Sequence, residues 1–309
     1  MSVRILSKEL QLIAETELNE VANRVNDDIQ SLREWLKSQR HLKARTDDQW
    51  LLTCLRGSKF SLERTKEKID RYYTARTLCS EFYAVRDPFS LDIQRCFDDG
   101  IVFVLPVREC EPIRLVFRVG TVDTRIVSFE TRVKVFTMII DALLEEYDEL
   151  AINGLSLLFD SAGITYDHLA QVTLPLLKKC ALCFLDSYPI RLEALHVINI
   201  VPIARTLKQL ALQFVPKKLR TSVFLYDDNA GGDDIYEHFP RDLLPPEYGG
   251  TGKPIEELAA QLKLKVESYK DWYALDRTFC TDESKRPQES TLSQELFGLD
   301  GSFRKLDID

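Results

Sequence analysis

Few residues of this 309-residue chain are spaced for covalent chemistry. Gly249-Gly250-Thr251-Gly252-Lys253 has the glycines and lysine of a phosphate loop, but such a loop also needs a glycine at 247 and a hydroxyl at 254, where the chain has Glu247 and Pro254. Gly154-Leu155-Ser156-Leu157-Leu158 approaches a nucleophile elbow and lacks the closing glycine that makes room for the sharp turn. Cys180 and Cys183 form a C-x-x-C pair inside an apolar helical stretch, with no second pair or histidine cluster to complete a tetrahedral zinc site, so they read as buried thiols. His168 near a helix start and His196 in a strand read as hydrogen-bonded packing residues rather than bases. Asp160, at the end of a strand, reads as a loop-fixing carboxylate. No catalytic residue, metal site or cofactor is expected, and the chain is not read as an enzyme.

Bulk composition narrows the remaining classes. Lys plus Arg number 41 against 49 Asp plus Glu, a formal charge of −8, which argues against a general nucleic-acid binder. A hydrophobic fraction of 45% and a charged fraction of 29% are ordinary globular values. Seven cysteines, an odd number, suit reduced thiols in a cytoplasmic protein better than a disulfide scaffold. The first residues meet Lys8 and Glu9 before an apolar run develops, so neither a signal peptide nor an anchor is expected there. The longest charge-free apolar run, Ala194 to Ala204, falls far short of the ~20 residues a spanning helix needs. Any membrane contact is expected to be peripheral and transient.

The elements that must position these residues follow from periodicity. Apolar residues at helical spacing from Leu18 to Leu36, then Trp50 to Leu55 and Leu62 to Phe82, predict an N-terminal helical unit over residues 1–87. The runs 101–107 and 113–119 read as a hairpin. Helices over Phe129–Leu150, Tyr166–Leu185 and Ile203–Phe214 then alternate with strands at Leu155–Asp160, Ala194–Asn199 and Ser222–Tyr226, predicting an α/β domain with a mixed sheet over residues 88–252. Residues 253–309 read as a helix, Pro254 to Ala274, and a polar tail after Asp276. Within the third helix, Ile203, Leu207, Leu210 and Phe214 form a stripe that Ala211 and Val215 widen, and Lys217, Lys218 and Arg220 follow. Periodicity by itself favours a helix packed on the sheet with solvated charges after it. An anionic membrane surface asks for the same combination.

Four segments in order, 51–73, 154–164, 186–199 and 239–250, resemble the CRAL-TRIO family of lipid-binding and transfer proteins, the match running from about Asp48 to Gly250. The resemblance implies a mixed sheet flooring an apolar cavity closed by a mobile gate helix, here Ile203 to Phe214. By position it implies walls from Phe159, Ile164, Val172, Cys180, Cys183, Phe184, Tyr188, Ile190, Leu192 and Leu195, with Leu207, Leu210, Ala211 and Val215 from the gate. Thr137, Asp141 and Tyr166 are candidates for the few polar contacts that orient a ligand. Members that hold a phosphatidylinositol headgroup carry Glu and Lys where this chain has Ile190 and Ser222, which disfavours that ligand here. Of the four places from which tocopherol and retinaldehyde carriers build a basic phosphoinositide cleft, Arg191 alone keeps its charge. Ser58, Glu193 and Ser222 hold the others, so a phosphoinositide partner would meet an incomplete cleft. Generic docking on an anionic membrane would use Lys59, Arg191, Ile203, Phe214, Lys217, Lys218 and Arg220. The function so implied is an intracellular carrier that moves a small hydrophobic lipid, such as a retinoid, a tocopherol-like compound or another isoprenoid, between membranes. The alternative is a lipid-responsive regulatory or interaction protein without transfer activity.

Overall fold

The computed structural model of the chain describes residues 3–202, 212–226, 233–287 and 292–294, with only the backbone at 218, 233 and 234. Helix α1 (Lys8–Leu18) starts where the Ser7 hydroxyl accepts from the Leu10 amide, and ends at Asn19, whose φ of 63° is left-handed. Helix α2 (Val25–Ser38) begins only six residues later. The stripe expected as one helix over 18–36 is therefore divided: Leu18 closes α1, and the left-handed Asn19 turns the chain before Val25. After strand β1 (Leu42–Lys43), Asp47 caps α3 (Asp48–Gly57), and α4 (Leu62–Leu78) and the single turn α5 (Ser80–Tyr83) complete the helical unit.

Helix α6 (Leu91–Asp98) leads into the expected hairpin, β2 (Val102–Val104) antiparallel to β3 (Ile113–Arg118). Helix α7 (Phe129–Glu146) and the short α8 (Glu149–Ile152) follow, divided at Tyr147 and Asp148 where one helix was expected. Strand β4 (Leu155–Asp160) pairs parallel to β3. The next helical stretch also divides, into α9 (Tyr166–Ala170) and α10 (Leu174–Ala181), because Thr173 caps a new start and Pro175 occupies its first turn. A π-helical turn, Leu182–Ser187, extends α10. Strands β5 (Leu192–Ile198) and β6 (Val223–Leu225) finish a five-stranded sheet of order β2-β3-β4-β5-β6, parallel from β3 onward.

Side chains alternate across this sheet, so each face has its own cover. Behind it, Phe103, Val116, Leu158 and Ile198 pack on Phe239, Leu244, Ile255 and Leu258, the last two from α11 (Ile255–Ser268). Gly250 sits in that cover because a Cβ there would lie 2.0 Å from the Leu244 carbonyl oxygen; the glycines that suggested a phosphate loop serve a tight turn. Helix α12 (Lys270–Asp276) and strand β7 (Cys280–Thr281) then return to the N-terminal unit, where β7 pairs antiparallel with β1. Leu292 is 1% exposed in the main core. The stretch expected as a polar tail after Asp276 thus contributes a strand and a core residue.

His196 lies in the rear cover, fully buried, with Nδ1 2.9 Å from the Tyr226 hydroxyl and its ring 4.5 Å from that of His238. Burial, with the neighbouring His238, lowers its pKa to about 4. Between the unfolded value near 6.5 and about 4 the unfolded chain binds more protons, so stability should fall as pH drops through that window, by on the order of 2 kcal/mol. Thermal melts from pH 7 to 4 should show this decline, and His196→Phe should flatten it; an equal slope in the variant would assign the decline to other groups.

Candidate functional site

The front face of the sheet carries two apolar rows in register. Leu115, Leu157, Leu195 and Val223 form one, and Phe117, Phe159, Val197 and Leu225 the other. Cover thins along both. Leu115 is 0% and Phe117 6% exposed beneath α7, whereas the six residues on β4, β5 and β6 are only partly buried. Beside β6 the rows open into a depression of about 280 Å³ lined by Leu212, Gln213, Arg220, Val223 and Leu225. Apolar area left uncovered on a sheet face, next to an open depression, is a place for an apolar ligand.

Aromatic contacts brace this floor. Phe159 stacks on Phe117 at 5.2 Å, Phe136 of α7 meets Phe117 and Phe184 edge-on at 6.1 and 4.7 Å, and Phe184 stacks on Tyr188 at 5.9 Å. Tyr188 meets Tyr72 of α4 at 5.5 Å, carrying the series into the N-terminal unit. The floor is therefore tied through side chains to helices that lie outside the sheet domain.

Of the expected wall residues, Phe159 and Leu195 lie on the floor itself. Leu192 sits beside a register shift where β5 begins. Cys180 and Phe184 pack partly buried against the same core, as does Ile190. Ile164 and Val172 flank α9, also partly buried, and Val215 and Phe214 follow the depression's Leu212 and Gln213 in the chain. Cys183 and Tyr188 are completely buried. The Cys79 thiol and burial push the Cys183 thiol well up, and burial pushes Cys180 up, so neither supplies a thiolate nucleophile. No metal-holding group of His, Cys, Asp or Glu exists among the described residues. Ile203, Leu207, Leu210 and Ala211 lie outside the described residues. Sequence reasoning missed Leu157, Val197, Val223 and Leu225, which alternation from Phe159 and Leu195 would have identified.

The three polar candidates are placed away from the floor. Asp141 is 1% exposed and paired on both oxygens, with Arg76 at 2.6 Å and with Arg86, which in turn binds Asp276. Burial works against the Arg86 charge, yet Asp141 and Asp276 hold its pKa above the ordinary arginine value. Thr137 is buried and donates to the Lys134 carbonyl at 2.7 Å. Tyr166 is 75% exposed at the start of α9. Asp160 fixes loops, accepting from the Ala162 amide at 2.9 Å, Asn199 at 2.8 Å and the Tyr248 hydroxyl at 2.6 Å.

Among the cationic candidates, Lys59, Lys217 and Arg220 are exposed, and Arg220 Nε donates to the Val215 carbonyl at 3.1 Å. Arg191 is held by Glu17 at 3.4 Å and Glu193 at 3.6 Å, so an anionic headgroup there would compete with two carboxylates. A second depression, on the N-terminal unit, is lined by Trp35, His41, Glu63, Arg64 and Asp70 among others, a charged setting unsuited to an apolar ligand. No helix among the described residues is long and apolar enough to cross a membrane.

Comparison with known families matches residues 107–250 to the CRAL/TRIO domain and residues 21–93 to the Pinta-like UBA domain. Clavesin-1 of Pongo abelii is 28% identical over 254 residues, covering 81% of this chain and 71% of that protein. The alpha-tocopherol transfer protein-like protein of Mus musculus is 25% identical over 255 residues, covering 81% and 72%. A solved structure titled "Crystal structure of Sfh5" aligns with 98% of this chain at 11% identity and a TM-score of 0.46.

Proposed function

Residues 107–250 match the CRAL/TRIO domain, and from that premise we propose that the chain binds a small neutral hydrophobic lipid on the front face of its sheet and carries it between membranes. Lipid binding and transfer is the activity that the domain match and the relative named for tocopherol transfer support. The observation that carries the finer reading is the thinning cover of the two apolar rows from β3 to β6. Phe159, Leu195, Val223 and Leu225 would contact the lipid's hydrocarbon, with Cys180 and Phe184 opposite. Ile203 to Phe214 would act as the gate.

Physical need for such a carrier is large. A lipid with ~30 methylenes would lose about 24 kcal/mol of transfer free energy on entering water at ~0.8 kcal/mol each, so spontaneous exchange is slow. Apolar walls offered at the membrane remove that step. The resemblance sets Ile190 and Ser222 at positions where members that hold a phosphatidylinositol headgroup carry Glu and Lys, which favours an uncharged ligand.

Native mass spectrometry of the purified protein, followed by extraction and identification of the co-purifying lipid, tests the reading. A stoichiometric isoprenoid or other neutral lipid that the protein moves between donor and acceptor vesicles is expected. Phosphatidylinositol would overturn the ligand class. Lipid occupancy without transfer would replace the carrier with a lipid-responsive regulator.

A further inference from the structure

Segment 84–91, which joins α5 to α6, has its polarity reversed. Arg86 is 6% exposed, whereas Val85, Phe89 and Leu91 are 61%, 52% and 81% exposed. The segment is anchored by the Arg86 pairs to Asp141 and Asp276 and by Gln94, which donates to the Pro88 carbonyl at 2.8 Å. Val85 adopts φ 42°, a left-handed conformation that a β-branched residue occupies only when its surroundings impose it. Its carbonyl accepts from Lys134 Nζ at 3.5 Å, and Lys270 Nζ lies 5.2 Å from the centre of the Phe89 ring. Asp87, in the same stretch, is turned back to accept from the Phe89 amide at 3.1 Å. Three large apolar side chains are thus held outward by a fixed backbone, with a lysine beside two of them.

The position of this strap matters as much as its composition. Thr131 of α7 donates to Asp92 at 3.0 Å, placing the strap's end against the first turn of that helix. Gln171 bridges the Thr124 carbonyl at 2.8 Å and Arg132 at 3.0 Å, which brings Ile126 (47% exposed) and Leu174 (49% exposed) to the same end. Helices that follow strands of a parallel sheet begin at the strands' carboxyl edge, so α7 and α10 both start there, and β5 delivers the chain to the gate segment from that edge.

We propose that the strap Val85–Leu91, with Lys134 and Lys270, is a docking surface for an anionic lipid bilayer that sets the carboxyl edge of the sheet against the membrane. This rests on the carrier reading and adds the orientation in which loading occurs. Apolar side chains interleaved with lysines fit a bilayer interface, where the acyl region takes the former and anionic headgroups meet the latter.

The test is co-sedimentation of the full chain with vesicles of phosphatidylcholine alone and with about a third phosphatidylserine. Phe89→Glu with Leu91→Glu should weaken partitioning onto the mixed vesicles by roughly tenfold or more, with lipid occupancy retained. Lys134→Glu with Lys270→Glu should lower the preference for phosphatidylserine by about fivefold per lysine. Should the glutamate pair fail to fold, Phe89→Trp keeps the bulk, and its emission, after subtraction of the parent protein's, should shift to the blue when vesicles are added. Partitioning within twofold of the parent, or an unshifted emission, overturns the proposal. So does loss of a concentration-dependent dimer with vesicle binding unchanged, which would make a second copy the occupant. If the glutamate pair docks and transfers like the parent, the strap assignment fails alone; if the parent holds lipid yet binds no vesicle, the carrier reading fails with it.

Discussion

Asp141→Asn is expected to destabilise the folded protein by about 3–5 kcal/mol and to leave lipid affinity unchanged. Asp141 is enclosed, with one oxygen on Arg76 and the other on Arg86, and Arg86 continues to Asp276. The amide removes the counter-charge while both guanidinium groups stay out of water, and that uncompensated charge is the source of the loss. A fall in melting temperature of roughly 10 °C is expected for a chain of this size. Urea and thermal unfolding beside a lipid-retention assay separate the two readings of this residue. A variant of parental stability that releases lipid would return Asp141 to the ligand.

Val223→Trp should abolish most lipid retention, by at least about tenfold, with stability within ~1 kcal/mol of the parent. The side chain lines the open depression beside β6, so added volume enters space that ligand rather than protein would fill. Phe224→Trp, one residue on, is the matched control. Its side chain points to the rear, where Phe224 stacks on His196 at 4.8 Å, so overpacking should cost about 1–3 kcal/mol and spare the lipid. If both variants retain lipid equally, the front face is not the binding face.

The hairpin, the strand and helix alternation, and the sheet were legible because periods of 2 and 3.6 are local signals. The breaks at Asn19, at Tyr147 and before Thr173 were hidden, since an apolar stripe continues through a cap when residues on both sides face one core. Asp141 was misleading for a related reason. A carboxylate in an apolar helix reads as a polar contact inside a cavity, and its partners Arg76 and Arg86 lie 65 and 55 residues away with no local signature. Phe159 and Leu195 were named only through the resemblance, although alternation sets them on one face with Leu157 and Val197; how far that face is covered depends on where α7 and α10 settle, which no single segment encodes. Family resemblance supplied candidate walls and offered nothing for the strap.

The short pairing of β1 with β7 has a consequence for synthesis. Leu42 meets Thr281 and Lys43 meets Cys280, and Arg286 reaches back to Asp70 at 2.8 Å. During synthesis the helices around β1 are made well before Cys280 and Thr281, so through that interval the edge of β1 stays open.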